Sequence, residues 1–459
     1  MKNLKWKTTV PVLLVASAIA LQGCGNSASN SNSTNNQPTK ESSSSSSAAP
    51  ITINWWHAMS GANGKVIDQV VKDFNASQSN IVVKVTFQGA YDELLNKVKA
   101  TMGSKSGPSM VQVNDVNTRF MIDSKMITPV QTLIDRDKFD ISQLEEHILN
   151  YYTVDNQLYS MPFNTSNDVF YYNKDLFKAA GLDPENPPAT FEEVTKDAQA
   201  LTKNGVTGYA FYLEPWDMEQ SFAKQGELYV NNDNGRSSEP ATESFMNTKP
   251  GVDTLTWWKN MLDNKLALNF GRVSADAQKS FIAGKTAMLT GSTGALRGLV
   301  DAAKGKFEVG TGFFPIPEGS AKDGGVAIGG ASNWIMNNKS QEEQDAAWEF
   351  IKYLSSPKVQ AFWHISTGYF PITKDAYNEQ IVKDNLVKYP QFNAAIEQLH
   401  QAKSNYASQG ASVGVFQEMR NFYASAVEEA MNGKSPQEAL DKAAKSSTEA
   451  IQKYNETNK

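Results

Sequence analysis

MPFNTSNDVFYYNKDLFKAAGLDPENPPATFEEV, residues Met161 to Val194, is the stretch whose reading decides the architecture. It reads as a strand leaving one body of the protein, a short helix, a proline-braked turn and a capped helix entering a second body. Phe170, Tyr171 and Tyr172 make an aromatic strand. Pro187 and Pro188 disfavour helix just before Thr190, whose T-x-x-E spacing to Glu193 is a capping box. A crossing of this kind implies two bodies with a cleft between them.

Upstream, Ile51 to Trp56 alternates as a strand, and apolar residues at Val66, Ile67, Val70, Val71 and Phe74 line one face of a helix. A second strand at Ile81 to Phe87, a helical period from Tyr91 to Met102 and a third strand from Pro108 to Val113 follow. Strand and helix in alternation predict an α/β body with a mainly parallel sheet. Ligands meet such sheets at the carboxyl ends of strands. Tyr91, just past strand two, and Asp115, just past strand three, stand there.

Downstream, the helix from Thr190 stops at Gly205, Tyr209 to Trp216 reads as an aromatic strand and loop, and Pro250 to Leu262 as a helix. Gly284 turns the chain into a strand ending near Thr290. The tripeptide Gly284-Lys285-Thr286 is no phosphate loop, because that motif needs glycine where Lys279 stands. Val326 to Trp334 is a strand with a double glycine, Ser340 with Glu343 caps a helix to Leu354, and Ser356-Pro357 opens another. Ser435-Pro436 with Glu438 starts what reads as the last helix but one.

At 459 residues and 40% hydrophobic, the chain can bury more than one core. Lys2, Lys5 and Lys7 precede an apolar run from Val10 to Leu21, the pattern of a secretory signal and too short for a permanent span. The single cysteine, Cys24, ends Leu21-Gln22-Gly23-Cys24, which resembles the lipobox of bacterial lipoproteins. Lipidation there would anchor the chain to a membrane without spanning it. From Gly25 to Ala49 the composition is that of a flexible Ser/Asn-rich tether. Removing the leader takes away three lysines and no acid, so the formal charge moves from -6 to -9, a poor balance for binding nucleic acid. His57, His147, His364 and His400 have no metal-ligand spacing, and no metal or cofactor is expected. His57 also lacks the nucleophile elbow of a hydrolase, so a catalytic centre is not expected.

WWHAMSGANGK from Trp55, QGAYDE from Gln88, VQVNDV from Val111, PFNTS from Pro162, FIAGKTAM from Phe281, IGGASNWIM from Ile328, WHISTGYFPIT from Trp363 and QEMR from Gln417 carry a family likeness. From Ile51 to the C-terminus the chain resembles the extracellular solute-binding proteins of ABC importers, and within them the glycerol-3-phosphate-binding branch. That resemblance implies an α/β, two-lobe periplasmic-binding-protein-like fold, with a hinge of several crossings and a ligand cleft between the lobes. It places a lipoprotein signal at 1–23, the lipidated cysteine and tether at 24–50, lobe one at 51–165 plus 325–374 and lobe two at 166–324 plus 375–459.

The ligand contacts it implies are Tyr91, Asp115, Ser166, Ser292, Gly330, Tyr369 and Arg420, with Leu213 and Trp216 beside them. Asp115 departs from the branch, which has glutamate there, and Leu213 departs where the branch packs a tryptophan on glycerol. The implied function is a lipid-anchored, monomeric binding protein outside the cytoplasm that delivers sn-glycerol 3-phosphate or a glycerophosphodiester to ABC permease subunits. Arg420 would fork onto phosphate, helped by Ser166, Ser292 and the Gly330 amide, and Asp115 would accept from glycerol hydroxyls. Duller roles stay open: Arg420 as a surface charge, the serines as turn or cap residues, Gly330 as a backbone turn, and Tyr91, Tyr369, Trp55 and Trp56 as core aromatics. An oligosaccharide receptor using Trp55, Trp56, Tyr212 and Trp216 is the alternative. A secreted phosphodiester hydrolase is a third reading.

Overall fold

The computed structural model describes residues 49–320 and 323–458. The expected signal segment, Cys24 and nearly all of the tether lie outside the described residues. Thirteen strands are described: β1 (Ile51–His57), β2 (Ile81–Phe87), β3 (Met110–Asn114), β4 (Ile127–Thr128), β5 (Thr153–Val154), β6 (Gln157–Leu158), β7 (Met161–Ser166), β8 (Asp168–Asn173), β9 (Thr207–Phe211), β10 (Ala267–Asn269), β11 (Thr286–Ser292), β12 (Val309–Phe313) and β13 (Gly329–Met336). Apart from the β5-β6 hairpin they form two sheets, one in the order β2-β1-β3-β13-β4 with β7 also paired to β13, the other β10-β9-β11-β8-β12.

The first sheet is parallel only over β2-β1-β3; β13 joins β3, β4 and β7 antiparallel. A strand delivered from more than two hundred residues downstream is not bound by the crossover that keeps consecutive βαβ strands parallel. Over this sheet the helix Gly61–Ser77 buries Ile67, Val70, Val71 and Phe74, the i, i+3, i+4, i+7 face read from the sequence.

The stretch expected as one strand between bodies is two strands in different sheets. β7 ends at Ser166 in the first sheet, Asn167 is wholly buried, and β8 starts at Asp168 in the second. Both strands are buried along their whole length, so no change in polarity marks the passage. The helix Lys174–Ala180 follows, capped by Asn173, whose side chain accepts from Leu176 N at 3.0 Å. The capping box then forms in both directions: Thr190 Oγ1 accepts from Glu193 N, and Glu193 Oε2 from Thr190 N, each at 3.1 Å.

Two further readings are corrected. The aromatic strand stops at Phe211, and Trp216 belongs to the helix Pro215–Gln225, which a proline in its first turn and Glu214 at its N-cap open. The helix Pro436–Thr457 opened by Ser435 is the last one among the described residues, not the last but one. The helix Gln380–Lys388 packs on the helix Pro357–Thr367, because Val382 is buried with Ala361 and Ala376.

The chain passes between the sheets after β7, returns between β12 and β13, and touches the first crossing again where Phe370 N donates to Thr165 O at 2.8 Å. Side chains also join the two bodies. Asn63 Nδ2 donates to Gly294 O at 3.3 Å, Gln417 Nε2 to Asp92 Oδ2 at 3.3 Å, and the Tyr454 hydroxyl to Asp123 Oδ2 at 2.8 Å.

Candidate ligand-binding cleft

The first wall is built on strand ends. Gln112 on β3 donates to Asn164 Oδ1 at 2.6 Å, and Asn164 on β7 donates to the Tyr91 hydroxyl at 2.9 Å. Tyr91 is the first residue of the helix Tyr91–Thr101, which is why its ring reaches the end of the sheet. Tyr369 follows Gly368, whose φ of +100° ends the preceding helix, and its phenol neighbours Asn164 and Tyr91, with Met59 Sδ 3.9 Å from the hydroxyl. His364 fixes the turn through a 2.7 Å bond between Nδ1 and Tyr369 O.

Asp115 begins a short 3-10 turn directly after β3 and is buried. The Tyr151 hydroxyl donates to its Oδ2 at 3.4 Å, and Arg420 Nη2 lies 3.9 Å from the same oxygen. Burial pushes the Asp115 pKa up to about 7; Arg420 pulls against that shift and Glu219 adds to it. The shift favours the neutral carboxyl, which can donate as well as accept.

Arg420, on the helix Phe416–Met431, is no surface charge. Its side chain is 14% exposed, and Glu219 accepts from Nε at 2.7 Å and from Nη2 at 2.8 Å. Burial works against the guanidinium charge, but Glu219, Asp115 and Glu214 together hold its pKa above the ordinary value. Burial raises the pKa of Glu214 as well, with Arg420 pulling it down. The cluster is thus one arginine among three carboxyls, two of them shifted toward the neutral form.

The second body supplies Ser292, together with Gly294 and Trp216, which meet residues of the first. Ser292 ends β11; its hydroxyl accepts from Gly294 N at 3.1 Å and its carbonyl from the Tyr171 hydroxyl at 2.9 Å. It therefore has the cap role left open by the sequence while retaining a donor proton. Gly294 lies under Tyr369: a Cβ there would stand 2.5 Å from the ring. Trp216 packs on Gly329 of β13, where an added Cβ would stand 2.5 Å from the indole, and its Nε1 is buried without a partner. Gly330 has φ +103°, and a Cβ would meet Asn164 O at 1.9 Å, so close strand approach alone demands glycine there.

Ser166 is buried at the end of β7, opposite Gly329 in the register. Leu213 is buried in the apolar core of the second body, and its backbone N donates to Gly271 O at 2.7 Å. Trp55 is also core, with Nε1 donating to Asn333 Oδ1 at 3.1 Å. His57 is buried and accepts from Met59 N through Nδ1, and burial lowers its pKa to about 4.

Among the described residues no group of three or more His, Cys, Asp or Glu could hold a metal ion. Nor, among them, is any helix long and apolar enough to cross a membrane. Asn164, Tyr151, Glu214 and Glu219 were missed by sequence reasoning. Asn164 sat inside the quoted PFNTS motif; for Glu219, on an acidic helix 201 residues before its arginine, no local signal existed.

The profile of the family described as bacterial extracellular solute-binding protein matches residues 69–394. The sn-glycerol-3-phosphate-binding periplasmic protein UgpB of Escherichia coli K12 is 32% identical over 420 residues, 90% of this chain and 95% of that protein. UgpB from Mycobacterium tuberculosis, solved in complex with glycerophosphocholine, superposes with a TM-score of 0.74 at 20% identity, covering 88% of this chain and 99% of that one. The cyclic alpha-maltosyl-1,6-maltose binding protein from Arthrobacter globiformis gives 0.71 at 23% identity with the same coverage. At such identities the superpositions speak to the fold, and the fold is that of two-lobe binding proteins. The chain belongs to the bacterial extracellular solute-binding proteins of ABC importers.

Proposed function

We propose that the cleft captures sn-glycerol 3-phosphate or a glycerophosphodiester and that the loaded protein delivers it to ABC permease subunits. The observation that carries this reading is Arg420. It is buried and held by Glu219 along its Nε–Nη2 edge, which leaves its Nη1–Nη2 edge for a bidentate phosphate. The upward shifts of Asp115 and Glu214 lessen the negative field a phosphate would meet. Tyr91, Asn164 and Tyr369 then face glycerol hydroxyls, with Ser292 and the Gly330 amide as neutral donors. The relative named for sn-glycerol 3-phosphate supports the same assignment.

Capture follows from the crossings. Residues from both bodies meet the ligand, so binding stabilises the arrangement in which they approach, the hinge closure general to two-body receptors. In this reading the bodies are residues 51–165 with 325–374 and residues 166–324 with 375–459.

Calorimetry on the purified protein tests the assignment: heat is expected with sn-glycerol 3-phosphate or glycerophosphocholine, and silence with both would remove it. Arg420→Ala should weaken phosphate binding by about 30-fold or more, since truncating one member of a buried charge pair costs about 2–5 kcal/mol.

A neutral oligosaccharide is the second reading. Asp115, Glu214 and Glu219 accept from sugar hydroxyls, and Trp216 and Tyr369 offer ring faces. Tight maltooligosaccharide binding, unaffected by competing glycerol 3-phosphate, would decide for it.

The lipid anchor on Cys24 belongs to the same proposal, with a monomer held at the outer face of the cell membrane. Palmitate labelling should mark the wild type and miss Cys24→Ser; equal labelling would refute the anchor.

A further inference from the structure

Arg420 is fixed from three sides. Glu219 takes Nε and Nη2 at 2.7 and 2.8 Å, the Phe416 ring lies 5.6 Å from the guanidinium carbon, and Asp115 Oδ2 waits 3.9 Å from Nη2. Phe416 is one helical turn before Arg420, so the helix Phe416–Met431 supplies both the cation and the surface under it. Glu219 comes from the helix Pro215–Gln225, which also carries Trp216 against Gly329.

Two acceptors compete for this guanidinium. Glu219 is engaged by two parallel bonds, whereas Asp115 is beyond direct hydrogen-bonding distance. Without the Glu219 carboxylate, the nearest acidic partner of Arg420 is Asp115, and the guanidinium edge turned to it would be the one a phosphate needs.

We infer that Glu219 is a positioning residue: by holding one edge of Arg420 it keeps the other edge out of Asp115's grasp and turned toward the ligand's phosphate, without touching the ligand itself. The inference rests on Arg420 as the phosphate donor. A simple count of charges points the other way, because Glu219 adds a negative charge near an anion, and deleting it should then tighten binding. Geometry outweighs that term here because Glu219 and the phosphate occupy different edges of one planar cation, whose own charge lies between them. A guanidinium already oriented loses less side-chain freedom on binding than one that must be recruited from another partner.

The test is a double-mutant cycle on the full chain, read by titration calorimetry with sn-glycerol 3-phosphate alongside thermal unfolding. Glu219→Gln keeps the shape and removes the charge. It should bind about 10- to 100-fold more weakly, the range for losing a charge-assisted hydrogen bond, while still unfolding cooperatively. In an Arg420→Lys background, which has a point charge and no fork, the same substitution should cost less than about threefold, since Glu219 acts through the fork.

Affinity unchanged or improved in Glu219→Gln overturns the inference, as does an equal loss in both backgrounds. If Glu219→Gln fails to fold, Glu219→Asp replaces it: the charge stays, the shorter arm reaches one N–H, and wild-type affinity would again overturn the inference. Wild-type affinity in both Arg420→Lys and Arg420→Ala removes the phosphate reading beneath it, a different result from loss in the arginine variants with none in the glutamate variants.

Discussion

Replacing Gly330 by alanine probes the place where strand pairing and the cleft coincide. Two costs are separable. The first is conformational: φ +103° is a backbone state that side chains rarely adopt, at about 1–2 kcal/mol. The second is contact: the new methyl would stand 1.9 Å from Asn164 O on β7, so β13 and β7 must part by about 1 Å, with an overpacking cost of about 1–3 kcal/mol. The sum is about 2–5 kcal/mol. A control removes the ambiguity. Gly305 has φ +78° and nothing within 4 Å of its missing Cβ, so Gly305→Ala should cost the conformational part alone, about 1–2 kcal/mol. Urea unfolding followed by tryptophan fluorescence gives both values. Because Asn164 links Gln112 to Tyr91, displacing its backbone should also lower ligand affinity in Gly330→Ala and leave it intact in Gly305→Ala. Equal destabilisation of the two variants would refute the contact argument, and normal ligand affinity in Gly330→Ala would refute the link from strand spacing to site.

The remaining predictions concern closure and pH. Gly294→Ala puts a methyl 2.5 Å from the Tyr369 ring, across the meeting of the two bodies and not within either core. It should weaken ligand binding at least tenfold with little change in the urea midpoint; a large stability loss with normal affinity would contradict that placement. His364 is wholly buried, and burial, with Arg297 nearby, pushes its pKa down to about 4 although the Tyr369 carbonyl pulls it up. A lowered folded-state pKa means that stability is fully present above pH ~6.5 and is lost as pH falls through about 4, a contribution of about 3 kcal/mol. His57 acts in the same direction. Asp115, raised to about 7, acts in the opposite one: its contribution is present below pH ~4 and is lost as pH rises through about 7. Comparing urea midpoints of wild type and His364→Gln from pH 7 down to pH 4 isolates the histidine; parallel curves would show that it does not titrate this way.

Local features of the chain were legible from sequence because their causes are local. The helix over Gly61–Ser77 and the caps at Thr190, Ser340 and Ser435 each rest on residues three or four apart, and the strand at Ile81–Phe87 on its run of β-branched residues. The exception proves the same cause: Trp216 was read into a loop because the aromatic run continued past Phe211, while Pro215 had already opened a helix. The candidate site residues were named in a different way, through a resemblance in separate motifs; in the structure Asp115 lies 3.9 Å from Arg420, while Asn164 donates to the Tyr91 hydroxyl and its carbonyl faces Gly330.

What the chain determined by itself is where most of its helices and strands lie and, through the family resemblance, which side chains are candidates for the site. Only the tertiary structure decided that Met161–Asn173 changes sheets at Asn167, that Leu213 faces a core, and that Arg420 is oriented by Glu219. The physical reason is the range of the forces involved. Capping and amphipathic period act along a few residues, whereas sheet membership and the pairing of a buried guanidinium are settled by whichever distant strand or carboxylate the closed fold brings within about 3 Å.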